Sequence, residues 1–151
     1  MKIGPTCLLL AALAQPAFAD DDGGHRYQPM PASYVQECGS CHAPFPPRLL
    51  PNESWQRLMD NLPRHYGTDA SLDTPTQRAL STWLAANAST RLRSAPPEDR
   101  ITRTRWFVRE HDEVPAAAWK RPAIKSAANC SACHEGAALG DYNEHAVRIP
   151  R

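Results

Sequence analysis

The clearest periodicity along the chain lies before Pro63, where Trp55, Leu58, Met59 and Leu62 recur at i, i+3, i+4 and i+7. That spacing puts all four on one face of a helix, with Asn52 placed to cap it and Pro63 to end it. Ala79, Leu80, Trp83 and Leu84 predict a further one-faced helix running to about Asn87. Thr74-Pro75-Thr76-Gln77 would open it as a capping box with Pro at the first helical position. Upstream, Ser33 with Gln36 three residues on reads as another capping box, starting a short helix that delivers residues 38–42. Pro44, Pro46, Pro47 and Pro51 impose an extended turn after it, and a loop from His65 to Asp73 joins the two longer helices.

Beyond Ala88 the pattern changes. A polar link rich in Ser, Ala and Pro runs to Glu98, and Trp106-Phe107-Val108 then precedes the charged run from Arg109 to Glu113. Only residues 124–135 read as helical there, and residues 136–151 read as loop. The expected fold class is mainly α with much irregular structure, the second half wrapping in an extended course and packing on the first.

The N-terminus carries Lys2, an apolar run from Cys7 to Ala14, and Ala17-Phe18-Ala19 followed by three aspartates. These are the parts of a signal peptide over residues 1–19, which would leave a mature chain of 132 residues in the periplasm. The run is much shorter than the ~20 apolar residues of a membrane span, and no other segment is long enough. Removing the signal also removes Cys7.

Four cysteines remain, in two identical frames: Cys38-Gly39-Ser40-Cys41-His42 and Cys130-Ser131-Ala132-Cys133-His134. C-x-x-C-H is the attachment signature of c-type haem. Two thiols add across the two vinyl groups, and the next residue points its imidazole at the iron. A four-thiolate zinc site is the plainer alternative, but such sites separate their pairs by ~15–20 residues. Here 88 residues intervene, and zinc gives no reason for a His after both pairs. A redox dithiol needs one C-x-x-C on a βαβ scaffold, and a disulfide within C-x-x-C closes almost no loop. Two covalent haems are therefore expected.

Composition fits that reading. Hydrophobic residues make up 42% and aromatics 7%, a modest supply for two small cores, and 15 prolines oppose long helices and central strands. Each haem would serve about half of the mature chain, a size at which protein side chains alone support a core poorly. The formal net charge of +1 lacks the basic excess of a nucleic-acid binder.

The order of a C-x-x-C-H helix, a middle helix, a ligand loop and a closing helix with Trp83-Leu84 resembles a class I cytochrome c domain. The wider sequence resembles the dihaem cytochromes c of purple and related bacteria, from about Ser33 to Arg151. The resemblance rests on the Tyr34–His42 segment, Ser54-Trp55-Gln56-Arg57-Leu58-Met59 and His65-Tyr66-Gly67. It continues through Trp106–Glu113, Ala128–His134 and Val147-Arg148-Ile149-Pro150-Arg151. It implies a periplasmic electron carrier with two bis-histidinyl haems, a class I-like domain over residues 20–95 and a less regular haem segment over residues 96–151. Its implied partners are a membrane b-type cytochrome and a small soluble monohaem c-type protein able to bind oxygen.

The attachment sites would be Cys38, Cys41, Cys130 and Cys133, with His42 and His134 as proximal ligands. His25, His65, His111 and His145 compete for the distal positions, beside Met30 and Met59. Met59 falls on the apolar stripe, Met30 and His25 in a loose N-terminal stretch. The expected ligands are His65 for the haem on His42 and His111 for the haem on His134, with His145 the rival to His111. The acids around His111 offer acceptors for its second ring nitrogen. Fourteen arginines, six of them between Arg91 and Arg109, could form a solvated surface or pair with haem propionates. Two functions follow from these ligands. A carrier needs both irons six-coordinate; a dihaem enzyme, peroxidase-like or gas-binding, needs one displaceable ligand.

Overall fold

A computed structural model describes residues 29–151. Residues 1–19, expected as a signal peptide, and His25 lie outside the described residues. Four α-helices, α1 (Ala32–Gly39), α2 (Asn52–Asp60), α3 (Thr74–Asn87) and α4 (Arg105–Glu110), are joined by short 3-10 turns, and no strand occurs among the described residues.

The first half is built around α2 and α3. Tyr34, Leu50, Trp55, Met59, Leu62, Leu80 and Leu84 form one buried cluster, with Trp83 packed against it. The stripe predicted for α2 is buried at Trp55, Met59 and Leu62, and Leu58 half-buried. On α3, Leu80 and Leu84 face the core, but Ala79 is exposed. Three side chains at this core are tied to backbone: Trp55 Nε1 donates to the Pro47 carbonyl (2.7 Å), Tyr34 Oη to the Phe45 carbonyl (2.7 Å), and Gln77 Nε2 to the Met59 carbonyl (2.6 Å).

The helix starts differ from the sequence reading by one or two residues, and for α1 and α2 the reason is the same. The carbonyls of Pro31 and Pro51 accept the first helical bonds, from Val35 and from Ser54 and Trp55, so prolines occupy both N-cap positions. Ser33 and Asn52 therefore lie inside the first turn instead of capping it. For α3 the cap is Asp73, whose carboxylate accepts from the Thr76 N–H at 3.0 Å. α2 stops at Asp60, and Pro63 sits inside the 3-10 turn Leu62–Arg64.

In the second half the α-helix is α4, not residues 124–135. Thr104 caps it, its hydroxyl accepting from the Phe107 N–H and donating to the Ile101 carbonyl. Around the second attachment motif there is only a 3-10 turn, Cys130–Ala132, because Lys125 takes a left-handed conformation (φ 66°) that interrupts a helix. Buried apolar residues here are few: Phe107, Ala118, Ile124 and Ala137. The two halves meet where Gly140 lies against Met30 and Pro46; a Cβ at Gly140 would come 3.3 Å from Met30 Cε. The link between them is bonded back to the first half, Ser89 N–H to the Leu50 carbonyl and Ala95 N–H to the Glu53 carboxylate.

Leu84 is almost completely buried, so Leu84→Ala should cost about 2–5 kcal/mol of unfolding free energy. Ala79→Gln, on the exposed face of the same helix, should stay within about 0.5 kcal/mol of wild type. Denaturant unfolding of the holoprotein followed by far-UV circular dichroism distinguishes the two.

Candidate haem centres

The C-terminal end of α1 carries Cys38, and the chain turns through Cys41 to His42. The His42 imidazole stacks on Phe45, with ring centres 4.7 Å apart, and its Nδ1 lies 2.7 Å from the Ala43 carbonyl. A carbonyl only accepts, so Nδ1 bears the proton and Nε2 keeps its lone pair for a metal. Facing it is His65, delivered by the 3-10 turn after α2, with ring centres 6.2 Å apart and planes inclined by 27°. His65 Nδ1 is buried and has no hydrogen-bond partner among the described residues. Burial, and then His42, lower its pKa and keep the ring neutral, the form in which an imidazole binds a metal.

The second centre repeats the arrangement on different elements. The turn Cys130–Ala132 closes with the Cys133 and His134 N–H groups donating to the Cys130 carbonyl (3.1 and 2.8 Å). The His134 ring lies 6.1 Å from that of His111, with the planes crossed at 71°, and edge-on to Tyr142 at 5.3 Å. His111, at the C-terminal end of α4, stacks on Phe107 (4.0 Å), and its Nδ1 lies 2.9 Å from the Phe107 carbonyl. The acids flanking His111 are not its acceptors: the helical i−4 carbonyl is nearer, and Glu110 is engaged by Arg109 (2.6 Å). Burial and then His111 lower the pKa of His134, whose Nδ1 is likewise buried without a partner.

These pairs fit a metal held between two imidazoles. An imidazole nitrogen binds a first-row metal at about 2.0 Å and its ring centre lies ~1.1 Å behind, so two opposed rings stand about 6.2 Å apart. The observed 6.2 and 6.1 Å meet that requirement at both centres. The cysteines fit covalent attachment better than a zinc or redox site. Burial pushes the Cys38 and Cys130 thiols up to about 11, away from the thiolate that thiol exchange requires. No three His, Cys, Asp or Glu side chains converge to hold a metal ion among the described residues.

The structure thus brings His42 to His65 and His134 to His111. His145 is exposed, its nearest charged neighbour Glu144 at 4.0 Å, and the ring contacts of His134 are with His111 and Tyr142. Met59 is core, and Met30 packs partly against that core. Sequence reading missed the carbonyls of Ala43 and Phe107 as imidazole anchors. The second was visible in principle, since Phe107 stands four residues before His111 on one helix. It missed Tyr142 altogether, which no local pattern marks. Several of the clustered arginines are used within the protein: Arg100 and Arg103 both engage Glu98, and Arg109 engages Glu110.

Residues 34–142 match the family model described as dihaem cytochrome c. An X-ray structure of a dihaem cytochrome c from Shewanella baltica is 35% identical, with 80% of this chain and 95% of that one covered and a TM-score of 0.70. The crystal structure of a dihaem cytochrome c (DHC) purified from Rhodobacter sphaeroides is 38% identical, covering 75% of this chain and 97% of that one, with a TM-score of 0.66. A further structure from the same organism is 36% identical, with a TM-score of 0.67. Among curated proteins none matches the chain. Mass spectrometry of the denatured protein should give the polypeptide plus two haems, held by Cys38 and Cys41 and by Cys130 and Cys133; the bare polypeptide mass would refute it.

Proposed function

The chain belongs to the dihaem cytochrome c family, and from that premise we propose that it is a periplasmic electron carrier with both irons bis-histidinyl. His42 and His65 hold one haem, and His134 and His111 the other. The observation that carries this reading is the pair of 6 Å imidazole separations, which leaves each metal position flanked on both sides. An enzyme would need one of those four rings displaced. Each ligand pair lies within one part of the chain, which supports two haem units over residues 20–95 and 96–151.

Haem supplies a one-electron ferric/ferrous couple when bound. The chain's own contribution is to set its potential and exclude substrate. Two histidines place a haem lower in potential than Met/His ligation does. The Nδ1–H bonds of His42 and His111 to carbonyls raise ligand basicity and act in the same direction. The proposed partners are a membrane b-type cytochrome and a small soluble monohaem c-type protein. Arg109, Glu110, Asp112 and Glu113 are exposed around His111 and would meet a partner electrostatically.

Electron paramagnetic resonance of the oxidised protein should show two distinct low-spin ferric species. The nearly parallel rings of His42 and His65 give an ordinary rhombic signal, and the crossed rings of His134 and His111 a more anisotropic one. A substantial high-spin fraction at neutral pH would favour the enzyme reading. His65→Ala and His111→Ala should each turn one different haem high-spin and raise its potential, whereas His145→Ala should leave both low-spin. If His145→Ala opens an iron and His111→Ala does not, the ligand set of the second haem is wrong. Transfer to a partner should slow as salt rises, since surface charges are screened within ~10 Å at 0.1 M; salt-independent rates would point to an apolar docking face.

A further inference from the structure

His65 has no anchor of its own. His42 and His111 are oriented by carbonyls at Nδ1, while the Nδ1 of His65 has no partner and the ring follows its backbone. An open cleft of about 410 Å³ borders it, lined by His65 itself and by Arg57, Asn61, Arg64, Tyr66 and Asp99 among others. The next residue, Tyr66, is fixed from several directions. It holds a left-handed backbone (φ 50°), and its hydroxyl proton is shared between the carbonyls of Glu98 (2.9 Å) and Asp99 (3.1 Å). The Arg100 guanidinium lies over its ring at 4.3 Å, and its edge meets the His65 ring with centres 5.0 Å apart.

The residues that grip Tyr66 are themselves held against their preference. Glu98 and Asp99 are consecutive non-glycine residues in the left-handed region (φ 56° and 53°), which persists only where surrounding contacts enforce it. Arg57 on α2 binds the Asp99 carboxylate through both Nε (2.9 Å) and Nη2 (2.7 Å), and Arg100 and Arg103 bind Glu98. A planar fork on a carboxylate is the most direction-specific ion pair available to side chains. The chain from Arg57 through Asp99 to Tyr66 thus closes a ring back to the loop that carries His65.

We propose that Tyr66, clamped by residues 98–99 and Arg57, is a positioning residue that keeps His65 seated on its haem and resists its displacement. The proposal rests on the reading of His65 as an axial ligand, and the test separates the two. Carbon monoxide binding to the reduced holoprotein reports how readily a distal ligand leaves. Tyr66→Phe keeps the ring and removes the hydroxyl; it should speed binding at one haem roughly fivefold, the equilibrium weight of one net hydrogen bond, and raise that haem's high-spin ferric fraction. Arg57→Gln, which loosens Asp99 from the far side, should act on the same haem in the same direction and reads the clamp if Tyr66→Phe folds poorly. The other haem is the internal control and should not change. His65→Ala should make the affected haem bind carbon monoxide without a slow phase. If His65→Ala opens an iron but Tyr66→Phe and Arg57→Gln bind at the wild-type rate, the clamp is refuted and the ligand assignment stands. If His65→Ala leaves both irons closed, the ligand assignment fails and the clamp with it.

Discussion

The separation of two imidazole rings by about 6 Å, made twice, is the constraint on which the rest of the fold depends. The proximal half of each pair is fixed by covalent chemistry within five consecutive residues. The distal half must be carried from elsewhere in the chain and held at one distance. In the first centre that is the work of α2 and the turn after it; in the second it is the work of the short helix α4. A prolyl turn and a six-residue helix would be weak supports in isolation. They suffice because each is capped or pinned at one end, α4 by Thr104 and the His65 loop by Tyr66.

The two centres divide their anchoring in opposite senses. In the first, the attachment histidine is bonded to a carbonyl and the distal one is not; in the second, the distal histidine is bonded and the attachment one is not. His134 needs little orientation because two neighbouring cysteines fix it covalently. His65 has neither device, so under the proposed ligand set the first centre would carry the more weakly held ligand. The difference in ring inclination, 27° against 71°, adds a second asymmetry between centres that share one motif. With the proposed ligands, two haems of one type in one chain would be given different surroundings without any change of ligand type.

What could be read from the sequence followed the range of the interaction. The C-x-x-C-H frames and the stripe of α2 are local patterns, and they matched because chemistry or periodicity acts over a few residues. Cap positions slipped because a prolyl carbonyl can open a helix without a capping side chain, as Pro31 and Pro51 do. The second half was opaque because 3-10 turns leave no hydrophobic period, and a left-handed Lys125 carries no sequence mark. The anchor of His111 was misassigned to nearby acids because charge is conspicuous in a sequence and a backbone carbonyl is not. Tyr66, Glu98 and Asp99 meet across more than thirty residues, a distance at which a single sequence carries no signal.

The uneven core bears on how the two proposed haem units relate. Among the described residues, seven of the eleven that form the buried hydrophobic core belong to the first-half cluster, while the second half buries Phe107 and Ile124 with two alanines. That is too little apolar surface to order some fifty residues against their conformational entropy. The second unit is therefore stable only with its haem as core and the first unit as support. The contacts of Gly140 with Met30 and Pro46 and the hydrogen bonds that pin the link at Ser89 and Ala95 supply that support. Tyr142 belongs to the same seam: burial is the main cause of its raised pKa, and Cys130 and Arg48 are its electrostatic neighbours. The proposed boundary near residue 95 would thus separate two redox centres without separating two independently folding bodies.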